Sequence, residues 1–277
     1  MDNLDKLSNS PIGIFDSGVG GLTVAREIMR QLPQEKLVYF GDTARVPYGS
    51  KSQTTIIRYT RQIIRFLQSK NVKAIVVACN TASAFALEEV ADEIDIPIIG
   101  VVKPGANIAA KTTKNNKIGV IGTAGTIDSK LYTKIIHQSN KKAQVLGKAC
   151  PLFVPLVEEG WLNDPVTIEV AKRYLAPLMD SGIDTLIMGC THYPLLRTTI
   201  QEIVGDGVQL INPAYETTKE LYKLLNETNL IRNGNELMLG NQYEFYVSDA
   251  ADKFMRFADS ILPYDVDSTK LISIEEF

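Results

Sequence analysis

A chain of 277 residues exceeds one ordinary domain, and 45% apolar against 22% charged residues gives it material for a packed core, which excludes a disordered chain. Its formal charge of −3 comes from 29 basic and 32 acidic residues interspersed along the sequence, leaving neither a basic stripe for nucleic acid nor a polybasic membrane anchor. The polar first ten residues lack a secretory apolar core, no apolar run nears the ~20 residues that span a bilayer, and three cysteines are too few for a disulfide scaffold, so a cytoplasmic protein with reduced thiols is expected.

Short runs rich in Ile and Val alternate with longer amphipathic stretches, the pattern of parallel strands joined by crossover helices. In chain order, strands are expected over 12–15, 37–40, 74–78, 98–101, 117–121, 143–149, 185–188, 208–211 and 243–247. Between them, apolar residues at three- and four-residue spacing predict helices over 20–31, 53–68, 82–94, 104–110, 129–138, 167–179, 195–204, 214–225 and 250–260.

Within this order one arrangement occurs twice. Asn71-Val-Lys-Ala-Ile-Val-Val-Ala-Cys79-Asn80-Thr81 and Gly182-Ile-Asp-Thr-Leu-Ile-Met-Gly-Cys190-Thr191-His192 each run from a turn through an apolar strand to a cysteine and small polar residues, with the cysteines 111 positions apart. Ile12-Gly-Ile-Phe-Asp-Ser-Gly18 and Ile118-Gly-Val-Ile-Gly-Thr-Ala124 match at an offset of 106, each a strand ending in a small-residue turn before a helix. Two copies with a few residues inserted account for both offsets. The fold class expected is α/β with two pseudo-symmetric lobes, each a parallel sheet flanked by helices: 1–102 plus 213–277 in the first, 103–212 in the second.

Ligands of open parallel sheets bind beyond the C-terminal strand ends, where loops lead into helix N-termini. Asp16-Ser17 follows the first strand and can position a substrate amino group or assist a thiol, or else simply close a turn before Gly18. The glycines 18, 20 and 21 match neither a P-loop nor the dinucleotide spacing. In the loop from Gly41 to Ser50, backbone and hydroxyl donors at Tyr48, Gly49 and Ser50 can grip a carboxylate, although such a loop often only connects. Asn80 and Thr81 can cap a helix while donating to a substrate carboxylate, and a thiol at a helix N-terminus is expected to have its pKa moved down from about 8.5. One isolated cysteine is commonly a small buried apolar group. Repetition argues instead for two thiols in proton transfer on opposite sides of a substrate, whereas Cys150, before Pro151 and without a second copy, reads as structural. Glu158 and Glu159 either reach the cleft or start a solvated helix. His192, two residues from Cys190, serves as its proton partner or as a structural residue, and His137 sits on an ordinary helix. No His, Cys and carboxylate cluster has metal-ligand spacing, and no lysine setting for pyridoxal phosphate is evident, so no cofactor is expected.

Asp16-Ser-Gly-Val-Gly-Gly-Leu-Thr23, Gly41-Asp-Thr-Ala-Arg-Val-Pro-Tyr-Gly49, Cys79-Asn-Thr-Ala82 and Gly189-Cys-Thr-His-Tyr-Pro-Leu-Leu196, in that order across most of the chain, resemble the signatures of the glutamate racemase family. The resemblance implies cofactor-independent interconversion of L- and D-glutamate, the D form serving peptidoglycan synthesis, in a cleft between two α/β lobes of a homodimer. It implies Cys79 and Cys190 as the acid/base pair, Asp16 assisting Cys79, and Glu158 with His192 assisting Cys190. Ser17, Pro47, Tyr48, Gly49, Ser50, Asn80, Thr81, Thr123 and Thr191, with Asp16 and His192, would bind substrate. Aspartate racemases resemble Gly-Cys-Thr-Glu in the second half, and His192 stands there instead, which favours glutamate. An aspartate or other amino-acid racemase, a non-catalytic two-lobed amino-acid-binding protein, and dithiol redox chemistry, for which no Cys-x-x-Cys is present, are the alternatives.

Overall fold

A computed structural model of the chain describes residues 3–232, 243–264, 266 and 268–277. Met1 and Asp2 of the polar N-terminal run, and parts of the segment expected to return to the first lobe, lie outside the described residues. Strands β1 (Ile12–Asp16), β2 (Leu37–Gly41), β3 (Ala74–Val77) and β4 (Ile98–Gly100) form one sheet, and β5 (Lys117–Gly122), β6 (Gln144–Ala149), β7 (Thr185–Gly189) and β8 (Gln209–Ile211) form a second. Two late strands, β9 (Tyr243–Val247) and β10 (Thr269–Leu271), extend the first sheet. Its order is β10-β9-β2-β1-β3-β4, that of the second is β6-β5-β7-β8, and every pairing is parallel. Without the two added strands, both sheets run second-first-third-fourth, so the repeat read in the sequence is a repeat of topology.

The helices are α1 (Asn3–Ser8), α2 (Leu22–Gln31), α3 (Gln53–Ser69), α4 (Asn80–Phe85), α5 (Leu87–Ala91), α6 (Val102–Thr112), α7 (Ala124–Asp128), α8 (Leu131–Ser139), α9 (Phe153–Glu158), α10 (Pro165–Asp180), α11 (Arg197–Val204), α12 (Pro213–Glu227) and α13 (Ala251–Ile261). Several start where side chains satisfy orphan N–H groups: the Ser52 hydroxyl accepts from Thr55 N at 3.3 Å, Asp164 from Val166 N at 2.8 Å ahead of Pro165, and Asn212 from Ala214 N at 3.1 Å ahead of Pro213. No described helix is long and apolar enough to cross a membrane.

β1 and β3 are buried on both faces, which is why they read as near-continuous apolar runs. Successive side chains then alternate between two cores: Ile12, Ile14, Ala74 and Val76 pack with α2 and α12 residues, while Phe15, Ile75 and Val77 pack with α3 residues. The second sheet repeats this, with Ile118, Val120 and Ile187 on one face and Ile121, Leu186 and Met188 on the other. Each fully buried side chain of this size contributes about 1.5–3 kcal/mol, so the sheets are rigid platforms for the loops beyond their C-terminal edges.

The helix expected over 82–94 begins earlier, at Asn80, and is split at Ala86 into α4 and α5. No glycine or proline marks the break. The Ser83 hydroxyl ties α4 to the sheet by donating to Val77 O at 2.9 Å and accepting from Val101 N at 3.3 Å. The predicted 195–204 helix opens as a 3-10 turn, Tyr193–Leu196, and the 129–138 helix starts only after Lys130, which is left-handed at φ 57. α1, α7, α9 and β10 have no counterpart in the sequence reading because each is too short to show a period.

Candidate active site

In an order of second-first-third, the chain leaves the first strand to one side and returns on the other, which opens a crevice at the C-terminal ends of the first and third strands. In the first sheet those ends carry Asp16-Ser17 and Cys79-Asn80-Thr81; in the second they carry Thr123 and Cys190-Thr191-His192. The two crevices meet through direct hydrogen bonds between their residues.

Cys79 is itself the N-cap of α4, its sulfur accepting from Ala82 N at 3.5 Å, so the cap expected of Asn80 and Thr81 is made by the thiol. The thiol donates to Ser17 Oγ at 3.6 Å. The pKa expected to fall at this helix start instead rises: burial, then the Asp16 charge, push Cys79 up to about 12, and the Ala82 and Ser17 hydrogen bonds only partly oppose them. A one-turn helix start has too little dipole to outweigh removal from water. Asp16 is 1% exposed, and burial raises its carboxyl even though His192 and the N–H groups of Gly18, Gly21 and Ser17 pull it down. Gly18 N donates to its Oδ2 at 3.0 Å.

On the other side, Cys190 Sγ lies 3.9 Å from His192 Nδ1, and His192 Nε2 lies 3.1 Å from Glu158 Oε1 at the end of α9. Burial pulls the imidazole down, but its bonds to Cys190 and Glu158 and the charges of Cys190 and Asp16 outweigh this and lift it to about 10. His192 is therefore an imidazolium near neutral pH. The hydrogen bond from His192, against the opposing effect of burial, holds Glu158 below the usual carboxylate range. Glu159 is exposed, so of the two adjacent glutamates it is Glu158 that meets the dyad. Glu158 also binds Lys253 of α13 through Oε2 at 3.1 Å, and Phe257 of the same helix lies 6.3 Å from the His192 ring.

The halves are sewn together by small polar groups. Thr81 Oγ1 shares hydrogen bonds with Thr123 Oγ1 at 2.9 Å and Thr126 Oγ1 at 3.3 Å. Thr191 Oγ1 donates to Asp16 Oδ1 at 3.5 Å, Thr23 Oγ1 donates to Thr191 O at 2.8 Å, and Tyr132 OH donates to Asn80 Oδ1 at 2.7 Å. Two glycines allow this approach: a Cβ on Gly49 would lie 2.6 Å from Thr123 Cβ, and one on Gly20 would strike Thr191 and His192.

Thus Asp16, Ser17, Cys79, Asn80, Thr81, Thr123, Glu158, Cys190, Thr191 and His192 come together. The 47–50 stretch behaves differently. The Tyr48 hydroxyl is buried and donates to Asp42, so only the backbone of Tyr48 and Gly49 remains to serve a ligand, while Pro47 and Ser50 are exposed on the same turn. Thr23, Thr126, Tyr132 and Lys253 were not singled out from sequence, because each lies within an ordinary helical pattern and joins the site through another segment. Cys150 is fully buried in the core on one face of the second sheet, and His137 bonds Ala143 O at 2.9 Å away from the site. Among the described residues no group of three or more His, Cys, Asp or Glu side chains is arranged to hold a metal ion.

The model of the Asp/Glu/Hydantoin racemase family matches residues 12–221, a span that includes both cysteine turns. The chain belongs to the Asp/Glu/Hydantoin racemase family. Among curated members, a glutamate racemase of Geobacter metallireducens is 48% identical over 264 residues, which cover 95% of this chain and 97% of that one. Among solved structures, a glutamate racemase isoform of Bacillus anthracis superposes with a TM-score of 0.90 at 40% identity, covering 96% of this chain and 98% of that one. A glutamate racemase of Francisella tularensis, solved in complex with D-glutamate, also gives 0.90 at 39% identity, covering 98% of this chain and all of that one. The family fold is that of the whole chain, with two parallel sheets flanked by helices.

Proposed function

We propose that this chain is a glutamate racemase that moves protons between Cys79 and Cys190 through a deprotonated substrate carbon, without a cofactor. The observation that carries the reading is the pair of thiols at equivalent strand ends of two sheets of equal topology, each with its own proton partner.

The α-proton of an amino acid is far less acidic than any side chain, so its removal needs a sulfur base in a dry site and a place for the charge to go. One sulfur, as thiolate, takes the α-proton from one face of the substrate. The other, as thiol, delivers a proton to the opposite face, and the centre is inverted. The negative charge developing in between spreads into the substrate carboxylate, which neutral donors stabilise without adding a charge of their own. Asn80, Thr81, Thr123, Thr191 and the Tyr48-Gly49 backbone are such donors, and Ser17 and Asp16 suit the substrate ammonium.

The two sulfurs reach their working states differently. Cys79, pushed up to about 12, rests as a thiol ready to give a proton, and for the reverse direction Asp16 is the buried carboxyl beside it that can take one. Cys190 faces the His192 imidazolium, itself held by Glu158, so a proton can pass between Nδ1 and sulfur as the thiol and thiolate exchange. This asymmetry fits one cysteine serving each enantiomer.

The sheet memberships support a first lobe of 1–102 plus 213–277 and a second of 103–212. On the family resemblance we further propose a cytoplasmic homodimer that supplies D-glutamate for peptidoglycan. The substrate is tested by incubating the protein separately with L-glutamate, D-glutamate and L-aspartate and following optical rotation. Glutamate of either hand should run to the racemate while aspartate stays unchanged. Turnover of aspartate alone would assign another member of the family, and glutamate bound without loss of rotation would mark a binding protein.

A further inference from the structure

We infer that Tyr132 is a positioning residue for the reaction: its hydroxyl, reaching across from the second lobe, fixes the Asn80 carboxamide so that both amide hydrogens face the cleft and the substrate carboxylate. The inference rests on the racemase reading for its substrate, but the pairing itself stands on geometry.

Tyr132 lies in the first turn of α8, where the chain has just been redirected by the left-handed Lys130. Its ring is held on several sides. It is 3% exposed in a cluster with Val120, Ile136 and Ile187, and a Cβ on Gly189, the residue before Cys190, would lie 3.2 Å from its Cε2. With two side-chain torsions and this packing, the phenol is a rigid post that rises from beneath one cysteine turn toward the other. It ends 2.7 Å from Asn80 Oδ1, and Asn80 is itself 4% exposed.

The direction of that bond decides what Asn80 can do. Burial, and secondarily the charge at Cys190, hold the phenol protonated well beyond its ordinary range, so the tyrosine is a donor and the carboxamide oxygen is its acceptor. Among the described residues no hydrogen bond takes up Asn80 Nδ2, so its two N–H groups remain for a ligand. A carboxamide without such a partner is free to turn by half a rotation and present its oxygen to an anionic substrate, exchanging an attraction for a repulsion. An aspartate at position 80 would keep the tyrosine bond and set a second anion against the carboxylate.

The placement also couples the bond to the meeting of the lobes. The run that carries Tyr132 carries Thr123 and Thr126 as well, and these hydroxyls hold Thr81. Both polar residues of the Cys79-Asn80-Thr81 turn are thus fixed by one segment of the opposite lobe. The turn is in register for catalysis only when that segment is in place.

The test uses the full-length protein with Tyr132→Phe, Asn80→Ala and the double variant. Losing one aligned donor should lower kcat/KM about ten- to thirtyfold in Tyr132→Phe, by the same factor for both enantiomers because a racemase has an equilibrium constant of one. Asn80→Ala should lose at least as much, and the double variant no more than Asn80→Ala alone. A Tyr132→Phe protein within twofold of the parent in kcat/KM, whatever its melting temperature, or a double variant showing the full product of the two losses, would overturn the assignment. A second measurement needs no substitution at position 132. In the amide spectrum of the 15N-labelled parent, the side-chain NH2 pair that Asn80→Ala removes should shift on addition of DL-glutamate. An unmoved pair would overturn it too. Absence of racemisation in the parent would refute the reaction while leaving this NMR reading of the Asn80 amide intact, so the two failures are told apart.

Discussion

Gly20→Ala is a small perturbation with a large expected effect. Gly20 has no positive φ, so an alanine fits its backbone, and the whole cost is steric. The new Cβ would lie 2.5 Å from His192 Cε1 and closer still to Thr191 Oγ1 and His192 Nδ1, where ordinary contact begins at 3.4 Å. Neither neighbour yields without cost. Thr191 can rotate only by leaving Asp16, and the His192 ring is tethered by Glu158 at 3.1 Å. The turn that carries Cys190 must therefore retreat by about 1 Å, a displacement that costs on the order of 100-fold in rate when it separates reacting groups. The accompanying loss of stability is about 1–3 kcal/mol, the usual cost of overpacking. The assay is the initial rate of optical rotation change with D-glutamate, beside a urea titration of the same protein. Gly207→Ala is the control, since nothing lies within 4 Å of its new Cβ. A Gly20→Ala enzyme within threefold of the parent would refute the idea that this glycine exists to let the Asp16 and Cys190 turns meet.

Lys73 and Glu35 are both fully buried and 2.5 Å apart, Lys73 also donating to Ser8 O at 2.7 Å, so Lys73→Met strands a carboxylate and should cost about 3–5 kcal/mol in urea; a loss under about 1 kcal/mol would contradict it. The folded pKa of His192 is raised from 6.5 to about 10, so its contribution to stability is full below pH 6.5 and is lost as pH rises through 10. The parent should then lose more stability than His192→Gln between pH 7 and 10, measured by urea midpoints, and parallel curves would contradict this.

Much of the frame was legible because strand burial is written in period and composition. Ile12, Ile14, Val76 and Leu186 sit in apolar runs that only a doubly covered sheet needs, and the matched cysteine turns exposed the repeat of topology. The outer edge of the first sheet was less visible: Thr269–Leu271 is three residues long and pairs only because β9 lies beside it. Within the site, residues at strand ends were readable from their own neighbours, whereas those supplied by another segment were not. Tyr132 has the sequence surroundings of a core helix residue and Lys253 those of a solvated one; each acquires a role through a partner at least 50 positions away. Cys79 shows the opposite error. Its place just ahead of a helix was legible, although the helix begins at Asn80 and not at 82, and the burial that reverses its pKa depends on packing that no local motif contains.

The central claim is that two thiols act on opposite faces of one carbon. Its most direct test is α-proton exchange in D2O, read by proton NMR on glutamate with the parent protein, Cys79→Ala and Cys190→Ala. The parent should replace the α-proton with deuterium as it racemises, and each single variant should lose racemisation. Full racemase activity in both variants would contradict the two-cysteine mechanism.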